Sequence, residues 1–145
     1  MNNVSERNKL IFLSFFKGRE DCFAFQGDDY YQPINRPLSE QYLEKHFKGF
    51  VTFGIYVLTK SSKCNFICLD VDIPKNKLDD IEFKDQNKKY IHLKDKLIIF
   101  QNIITKKLNI EKDSILLEDT GGRGYHIWIF FKDAIAGKDA LKLYY

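Results

Sequence analysis

Residues 66–73 read FICLDVDI, an apolar run that carries two aspartates near its end. Successive side chains of a β-strand point to opposite faces, so Asp70 and Asp72 are predicted to share one face. Leu69 and Val71 are predicted to point the other way, into a hydrophobic core. At the rise of a β-strand, the two aspartates lie about 6.6 Å apart along the chain.

This pair of carboxylates is a candidate metal site. Two acids at the end of an apolar strand repel each other and are costly to desolvate unless a cation lies between them. Mg²⁺ or Mn²⁺ suits the pair, because such ions take one or two protein carboxylates and complete their coordination with water and substrate phosphates. The simpler interpretation is that Asp72 and Pro74 end a strand and that both acids are solvated.

A second candidate site is the glycine-rich segment TGGRGYH at residues 120–126. Glycines such as Gly122 and Gly124 adopt positive φ without penalty, which lets successive backbone N–H groups converge on an anion. Thr120 adds a hydroxyl and Arg123 a planar guanidinium suited to phosphate. The P-loop pattern is absent, and a strand instead of a helix is predicted to follow.

Strand alternation after this turn places His126, Trp128 and Phe130 on one face. The simplest interpretation is a glycine-rich hairpin with a hydrogen-bonded histidine near its mouth. If the two candidate sites lie on adjacent strands, Asp70 and Asp72 would bind a metal while the turn and His126 bind the phosphates of a triphosphate. That arrangement is typical of a nucleotidyl transferase.

The predicted elements follow the order α–β–α–β–β–α–β–β–(α), which indicates a mixed α+β domain with hairpins. The first helix is predicted between Ser5 and Gly18. Its predicted apolar face consists of Leu10, Leu13 and Phe16. Residues 22–25 are predicted to form a short strand, and residues 26–37 a polar loop.

A second helix is predicted from the N-cap Ser39 to Gly49. The β-rich runs at residues 50–58 and 65–73 are predicted to pair as a hairpin. Residues 74–89 are predicted to be a surface connection.

A long helix is then predicted, with one apolar stripe. The stripe consists of Leu93, Leu97, Phe100, Ile104 and Leu108. Strands at residues 114–119 and 125–131 are predicted to pair around the glycine-rich turn, and another helix begins at Gly137. His46 and His92 fall on helices and are predicted to be surface residues.

Composition indicates one globular domain with room for a core, because the chain has 145 residues and is 44% apolar. A net charge of +3 does not by itself indicate nucleic-acid binding. The three cysteines, Cys22, Cys64 and Cys68, lack metal-site spacing and are predicted to be buried free thiols. Without a signal peptide or a membrane-length apolar run, we expect a cytoplasmic protein that does not contact a membrane.

The two candidate sites together resemble the archaeo-eukaryotic primase superfamily. Its first motif is an apolar strand ending in D-x-D, as in FICLDVD at residues 66–72, and its second is a small-x-His opening a strand, as in GGRGYHIWIFF at residues 121–131. The likeness is closest to primase-polymerases of prokaryotic mobile-element and defence loci, including CRISPR-associated ones. In that branch an upstream F-x-G-R-E-D is expected, and FFKGREDCFAF at residues 15–25 matches it.

The resemblance implies that Asp70 and Asp72 bind Mg²⁺ or Mn²⁺ and that His126 contacts the phosphates of the incoming nucleotide. Helpers in phosphate binding would come from the glycine-rich turn, namely Thr120, Gly122, Arg123 and Gly124. Arg19 would contact the nucleotide or the template, or would instead form a buried structural salt bridge with Glu20 or Asp21.

The implied reaction is the attack of a 3′-hydroxyl on the α-phosphate of a ribo- or deoxyribonucleoside triphosphate, directed by a single-stranded DNA or RNA template. Proteins of CRISPR adaptation or of another defence system would be partners. The implied fold is one catalytic domain over residues 1–145, with an N-terminal αβ portion over about 1–60 and an RRM-like antiparallel portion over about 61–145.

One element of the family pattern is missing from the sequence. The family completes its metal site with an apolar–acidic motif on a later strand, whereas only KDAIAGKDALKLYY follows Phe131. Asp133 and Asp139 come too early and in the wrong context to supply it. We therefore expect a catalytic core that is incomplete at the C-terminus, either as a fragment or as a short inactive relative.

Other classes of function remain open at this stage. A non-catalytic, RRM-like module could stack single-stranded nucleic acid on Tyr125 or Trp128 without a metal. An enzyme of the same fold could join nucleotides without a template. A hydrolase is less well supported, because no second candidate base is found beside the turn.

Overall fold

The computed structural model describes residues 5–28, 30–79 and 84–143. In this part of the chain the helices are α1 (Glu6–Phe15), α2 (Glu40–Phe47), α3 (Gln86–Leu108) and α4 (Gly137–Leu141). The strands are β1 (Phe23–Gln26), β2 (Tyr31–Ile34), β3 (Phe53–Gly54), β4 (Lys63–Asp72), β5 (Ile115–Asp119) and β6 (Gly124–Ala136). The predicted mixed α+β class is confirmed.

The strands form two small sheets, in the orders β2-β1-β3 and β4-β6-β5. In the first sheet β1 runs antiparallel to both of its neighbours. In the second sheet β5 and β6 form the predicted antiparallel hairpin, with Glu118 opposite His126 and Asp119 opposite Tyr125. The succession β4–α3–β5–β6 matches the first four elements of a β-α-β-β-α-β pattern, in keeping with the expected RRM-like portion.

The described chain divides into two compact units. The first unit comprises residues 5–66 and 131–143, and the second comprises residues 67–130. The core of the first unit is built from Phe23, Leu43 and Phe53, all buried. The candidate residues on β4, β5, β6 and the glycine-rich turn all belong to the second unit.

The apolar face of α1 differs from the prediction. Leu10 and Leu13 are 67% and 41% exposed. Phe12 packs against the core of the first unit instead, and its ring centroid lies 4.6 Å from that of Phe16. The helix also ends before Gly18, which is buried.

Lys9 explains why the α1 face differs. Its side chain is buried, and Nζ donates to carboxylates of Glu6 at 2.6 Å, Glu40 at 2.9 Å and Glu44 at 2.8 Å. The three acids raise the pKa of Lys9 above its usual value. The rotation of α1 is therefore set by an ion-pair cluster with α2, which a hydrophobic pattern does not reveal.

Both ends of α2 are as predicted. The hydroxyl of Ser39 accepts a hydrogen bond from a backbone N–H of the first turn. At the other end Gly49 has a φ of +75°, its N–H donates to His46 O at 2.8 Å, and the N–H of Phe50 donates to Lys45 O at 2.9 Å. This pair of bonds is a Schellman motif, which explains the glycine.

The predicted hairpin between residues 50–58 and 65–73 is wrong. Only Phe53–Gly54 of the first run is a strand, and it pairs with β1, whereas β4 belongs to the other sheet. The other neighbour of β1 is β2, which lies in the predicted loop and contains Pro33. An edge strand tolerates proline because one side of its backbone needs no strand partner.

His46 is also not a simple surface residue. Its ring centroid lies 4.5 Å from that of Phe53, and Nδ1 is 3.1 Å from the carbonyl oxygen of Val51. His92 is exposed, as predicted.

The long helix is confirmed over the predicted stripe, but α3 begins earlier, at Gln86. Leu93, Leu97 and Ile104 are buried, whereas Phe100 is 40% exposed. The predicted surface connection over 74–89 is therefore wrong for residues 86–89, which belong to α3. Residues 80–83 lie outside the described part of the chain.

The described cysteines are all free, with Cys64 buried and Cys22 and Cys68 half-buried. Complete burial was therefore predicted correctly only for Cys64. None of the helices in the described ranges is long and apolar enough to cross a membrane.

Candidate functional site

The end of β4 follows the predicted alternation. Val71 and Ile73 are buried, whereas Asp70 is exposed and Asp72 is half-buried. Because positions two apart share a face of a strand, the carboxylates of Asp70 and Asp72 leave β4 on the same side.

Arg123 is bound to this strand end. Its Nη2 forms an ion pair with Asp72 Oδ2, and its Nη1 donates to Ile73 O at 3.3 Å. The backbone adds a third link, because the N–H of Ile73 donates to Arg123 O at 3.0 Å. The guanidinium predicted to help with phosphate is therefore the counter-charge of Asp72 in this structure. Within the described ranges, no hydrogen bond or ion pair engages the Asp70 carboxylate.

The glycine-rich turn is closed by its own side chains. The Thr120 hydroxyl donates to Gly124 O at 3.0 Å and lies 3.3 Å from the N–H of Gly122. The N–H of Gly121, whose φ is +70°, donates to Asp119 Oδ1 at 2.7 Å. Three of the amides that could have formed an anion site, those of Gly121, Gly122 and Gly124, thus have partners inside the turn.

Gly124 is required for a different reason. A Cβ at this position would lie 2.2 Å from Val71 O and 2.9 Å from Asp72 Cα. Both contacts are with backbone of the neighbouring strand β4, so only glycine lets β6 start this close to the two aspartates.

Lys89 anchors the turn from α3, and the sequence interpretation missed it. The side chain is 1% exposed, and Nζ pairs with Asp119 Oδ1 and donates to Gly122 O at 3.1 Å. Nζ also lies 5.2 Å from the ring centroid of Tyr125. The sequence signal that could have revealed the burial of Lys89 is its position one helical turn before Leu93, on the same apolar stripe.

The half-buried acid of this pair, Asp119, has a lowered pKa. Burial alone would raise the pKa of Asp119, but the bonds from Lys89 and from the N–H of Gly121 outweigh it and hold the pKa below its usual value. Burial and the charge of Asp119 in turn raise the pKa of Tyr125.

His126 lies near the start of β6, next to Glu118, an acid that the sequence patterns did not single out. Its Nδ1 lies 3.1 Å from Glu118 Oε2, and the indole Nε1–H of Trp128 donates to the same oxygen at 2.7 Å. The two rings meet edge to face with centroids 5.6 Å apart.

The thiol of Cys68 is affected by the charges of both Glu118 and Asp70. Burial and the charges of Glu118 and Asp70 raise the pKa of its thiol to about 12.

A Cβ on Gly124 would lie 2.5 Å from Asp72 Oδ1, so this Cβ and the side chain of His126 are expected on the side of the sheet that carries the Asp72 carboxylate. Asp70 shares that side with Asp72, and Glu118 stands opposite His126 on β5. We call this side of the sheet β4-β6-β5, with Asp70, Glu118 and His126, the acidic face.

Arg19 belongs to the other unit. Its Nε donates to Asp21 Oδ1 at 2.9 Å, and Lys60 Nζ lies 3.1 Å from Asp21 Oδ2. The two cations hold the pKa of Asp21 at about 2. The salt bridge with Asp21 that was the alternative to a nucleotide contact is therefore present, but its predicted burial is wrong, since the two side chains are 43% and 40% exposed.

The residues that could hold a metal differ sharply between the two units. Within the described ranges, the group of three acids whose oxygens converge is Glu6, Glu40 and Glu44. Lys9 donates to all three, so an ammonium already neutralises that cluster. Asp70 and Asp72 offer hard oxygen ligands on one face, and the pair suits an ion that takes only one or two protein carboxylates.

The two motifs that predicted a primase-like nucleotidyltransferase domain thus lie on neighbouring strands of one sheet, β4 and β6. The family model of the archaeo-eukaryotic primase domain of the TOTE conflict system matches residues 26–145. The chain belongs to this family. The predicted superfamily, in its defence-system setting, is thereby confirmed, and CRISPR association stays a prediction. None of the curated proteins compared with the chain matches it.

The match covers both candidate motifs but not the whole upstream pattern. Residues 66–72 and 121–131 lie inside the matched range, whereas Arg19 precedes it. The matched range therefore includes the residues of the acidic face and excludes Arg19.

Proposed function

We propose that this chain is a template-dependent primase-polymerase catalytic domain that joins nucleoside triphosphates. The observation that carries the proposal is the position of Asp70, Asp72 and His126 on β4 and β6, neighbouring strands of one sheet, in a member of a primase family. Acids that bind a cation and a histidine that binds phosphate are the two halves of a metal–triphosphate site.

In this proposal Asp70 and Asp72 hold Mg²⁺ or Mn²⁺, and His126 contacts the phosphates. When bound, two such ions would supply the positive charge that lowers the pKa of the attacking 3′-hydroxyl and stabilises the pyrophosphate. The 3′-oxygen forms a bond to the α-phosphorus, and the bond from that phosphorus to the oxygen bridging the α- and β-phosphates breaks. Pyrophosphate leaves with that oxygen, and the hydroxyl proton passes to solvent.

In this proposal the turn residues mainly fix the shape of the turn and the position of β6. Thr120 and Gly122 keep the turn closed, and Gly124 lets β6 start beside Asp72. Arg123 already uses Nη2 for Asp72 and Nη1 for Ile73 O, so a cation that replaces it at Asp72 would release donors for phosphate binding.

The proposal extends to partners and location. We propose a single-stranded DNA or RNA template, ribo- or deoxyribonucleoside triphosphates as substrates, and other proteins of a defence system as partners. The free cysteines fit a reducing compartment such as the cytoplasm.

A primer-synthesis assay on a single-stranded template with Mn²⁺ tests the function. The length of the products is the quantity measured. Asp70→Asn and Asp72→Asn are each expected to lower the rate at least about a hundredfold, since each removes a charged metal ligand. Asp95→Asn, at an exposed acid on α3, is the matched control and should retain wild-type activity. Products that form equally well without template would favour an untemplated enzyme. Strand binding by an inactive wild-type chain, unaffected by Asp70→Asn, would favour a binding module.

A further inference from the structure

The Glu118 carboxylate holds two side chains of the acidic face with one oxygen. Oε2 lies 3.1 Å from His126 Nδ1 and 2.7 Å from Trp128 Nε1. Glu118 stands directly opposite His126 in the β5–β6 register. Since opposite residues on antiparallel strands lie about 5 Å apart at Cβ, the contact is built into the hairpin and not made by a distant loop.

The chemistry of these bonds fixes which ring nitrogen of His126 is presented. An ionised carboxylate can only accept hydrogen bonds, so Nδ1 of His126 must carry a proton and donate it. The indole Nε1 is also only a donor, which keeps Oε2 in the accepting role. Nδ1 is thereby occupied by Glu118, and Nε2 is the nitrogen left to contact a ligand.

We propose that Glu118 is a positioning residue that orients His126, so that Nε2 points to the triphosphate. The inference rests on the proposed function, in which His126 contacts phosphate. Contact with a phosphate oxygen requires a proton on Nε2 as well, so the bound ring is a cation between two anions, Glu118 and the phosphate. Histidines that bind metals are oriented by a carboxylate in the same way.

The Glu118 side chain is 49% exposed, yet its Oε2 lies within hydrogen-bond distance of both His126 and Trp128 on the neighbouring strand. An acid on the phosphate-binding side of a site is unfavourable unless a cation or a protonated group separates it from the ligand. In this proposal the protonated His126 separates Glu118 from the phosphate.

The experiment combines binding and NMR on the same variants. Affinity for a non-hydrolysable nucleoside triphosphate analogue is measured by calorimetry with Mn²⁺. The protonated nitrogen of His126 is read from long-range ¹H–¹⁵N spectra without Mn²⁺, and its signals are assigned by their loss in His126→Ala. Glu118→Ala should bind the analogue about tenfold more weakly, the equivalent of one charge-assisted hydrogen bond. Its His126 ring should exchange between protonation at Nδ1 and at Nε2.

Glu118→Gln keeps the size and one acceptor, so it should restore much of the affinity and of the Nδ1–H signal. Glu111→Ala removes an exposed acid of the same unit and should behave as wild type in both measurements. A purely structural role would lower the melting temperature of Glu118→Ala but leave the affinity and the Nδ1–H signal as they are, and that result would overturn the inference.

His126→Ala separates the inference from the proposed function. If it binds the analogue as tightly as wild type, His126 does not contact the phosphates and the proposed function fails along with the inference. If it binds more weakly while Glu118→Ala does not, only the role of Glu118 fails.

Discussion

The guanidinium of Arg123 forms an ion pair with the carboxylate of Asp72, one of the two proposed metal ligands. Two hydrogen bonds with Ile73, at 3.0 and 3.3 Å, hold Arg123 at this position. A cation that binds Asp72 must therefore compete with a positive charge already present. The same residue was predicted to bind phosphate, so Asp72 competes with a phosphate for its guanidinium.

Arg123→Gln is expected to raise the affinity for Mn²⁺ several-fold, because the competing charge on Asp72 is removed. The affinity for a triphosphate analogue at saturating Mn²⁺ should fall by about tenfold, the equivalent of one lost charge-assisted hydrogen bond. Calorimetry with Mn²⁺ alone, and then with the analogue, gives both values. Arg7→Gln, at an exposed residue of α1, is the control. Changes of the same sign in both affinities would indicate a structural effect only.

Lys89→Met should destabilise the protein by about 3–5 kcal/mol, because it leaves the carboxylate of Asp119 without its buried partner. Chemical denaturation measures the free energy of unfolding. Lys96→Met is the matched control, since Lys96 lies on the same helix and is exposed; its effect should stay within about 0.5 kcal/mol. Equal effects of the two substitutions would contradict a stabilising role for the buried pair.

The Lys89–Asp119 pair also predicts a dependence on pH. Folding lowers the pKa of Asp119, so its contribution to stability is complete above the unfolded value of about 3.9 and is lost as pH falls through the lower folded value. Wild type should therefore exceed Asp119→Asn in stability by a constant amount between about pH 5 and 7, and the difference should shrink below about pH 4. Unfolding curves over this range measure it. A difference that is unchanged at pH 3 would rule out the ionised pair as its source.

Gly124→Ala should destabilise the protein by about 1–3 kcal/mol, because the new Cβ would overlap backbone atoms of β4. Metal affinity should fall with it, since Asp72 is one of the residues displaced. Gly122→Ala is the control in the same turn, where the nearest atom to an added Cβ is the Thr120 hydroxyl at 3.7 Å. Thermal unfolding and Mn²⁺ titration of both variants test this contrast. The explanation is wrong if the two behave alike.

Strong local periodicity made parts of the fold predictable. The alternation around Asp70 and Asp72, the hairpin that leads into His126 and the apolar stripe of α3 depend on side chains a few positions apart. The local pair of β1 with β2 was missed because Pro33 and the polar residues around it are typical of a loop, and the pair of β1 with β3 because it joins segments far apart in the sequence. Short β-rich runs such as residues 50–58 do not reveal their partner.

Buried lysines were the other features that sequence patterns missed. Lys9 is neutralised by Glu40 and Glu44, and Lys89 by Asp119, which lie thirty or more positions away. Hydrophobic patterns assign lysine to the surface, because its burial depends on partners that only the fold brings together. Glu118 was missed for a related reason, since its role appears only through the register that sets it opposite His126.

The central claim is that Asp70, Asp72 and His126 bind a metal–triphosphate, and calorimetric binding of a non-hydrolysable nucleoside triphosphate analogue tests it most directly. The account predicts that binding requires Mn²⁺ and that Asp70→Asn and His126→Ala each weaken it at least about tenfold, the loss of one strong polar contact. Asp95→Asn should leave the affinity at the wild-type value. Tight binding without Mn²⁺, or wild-type affinity in Asp70→Asn, would contradict the account.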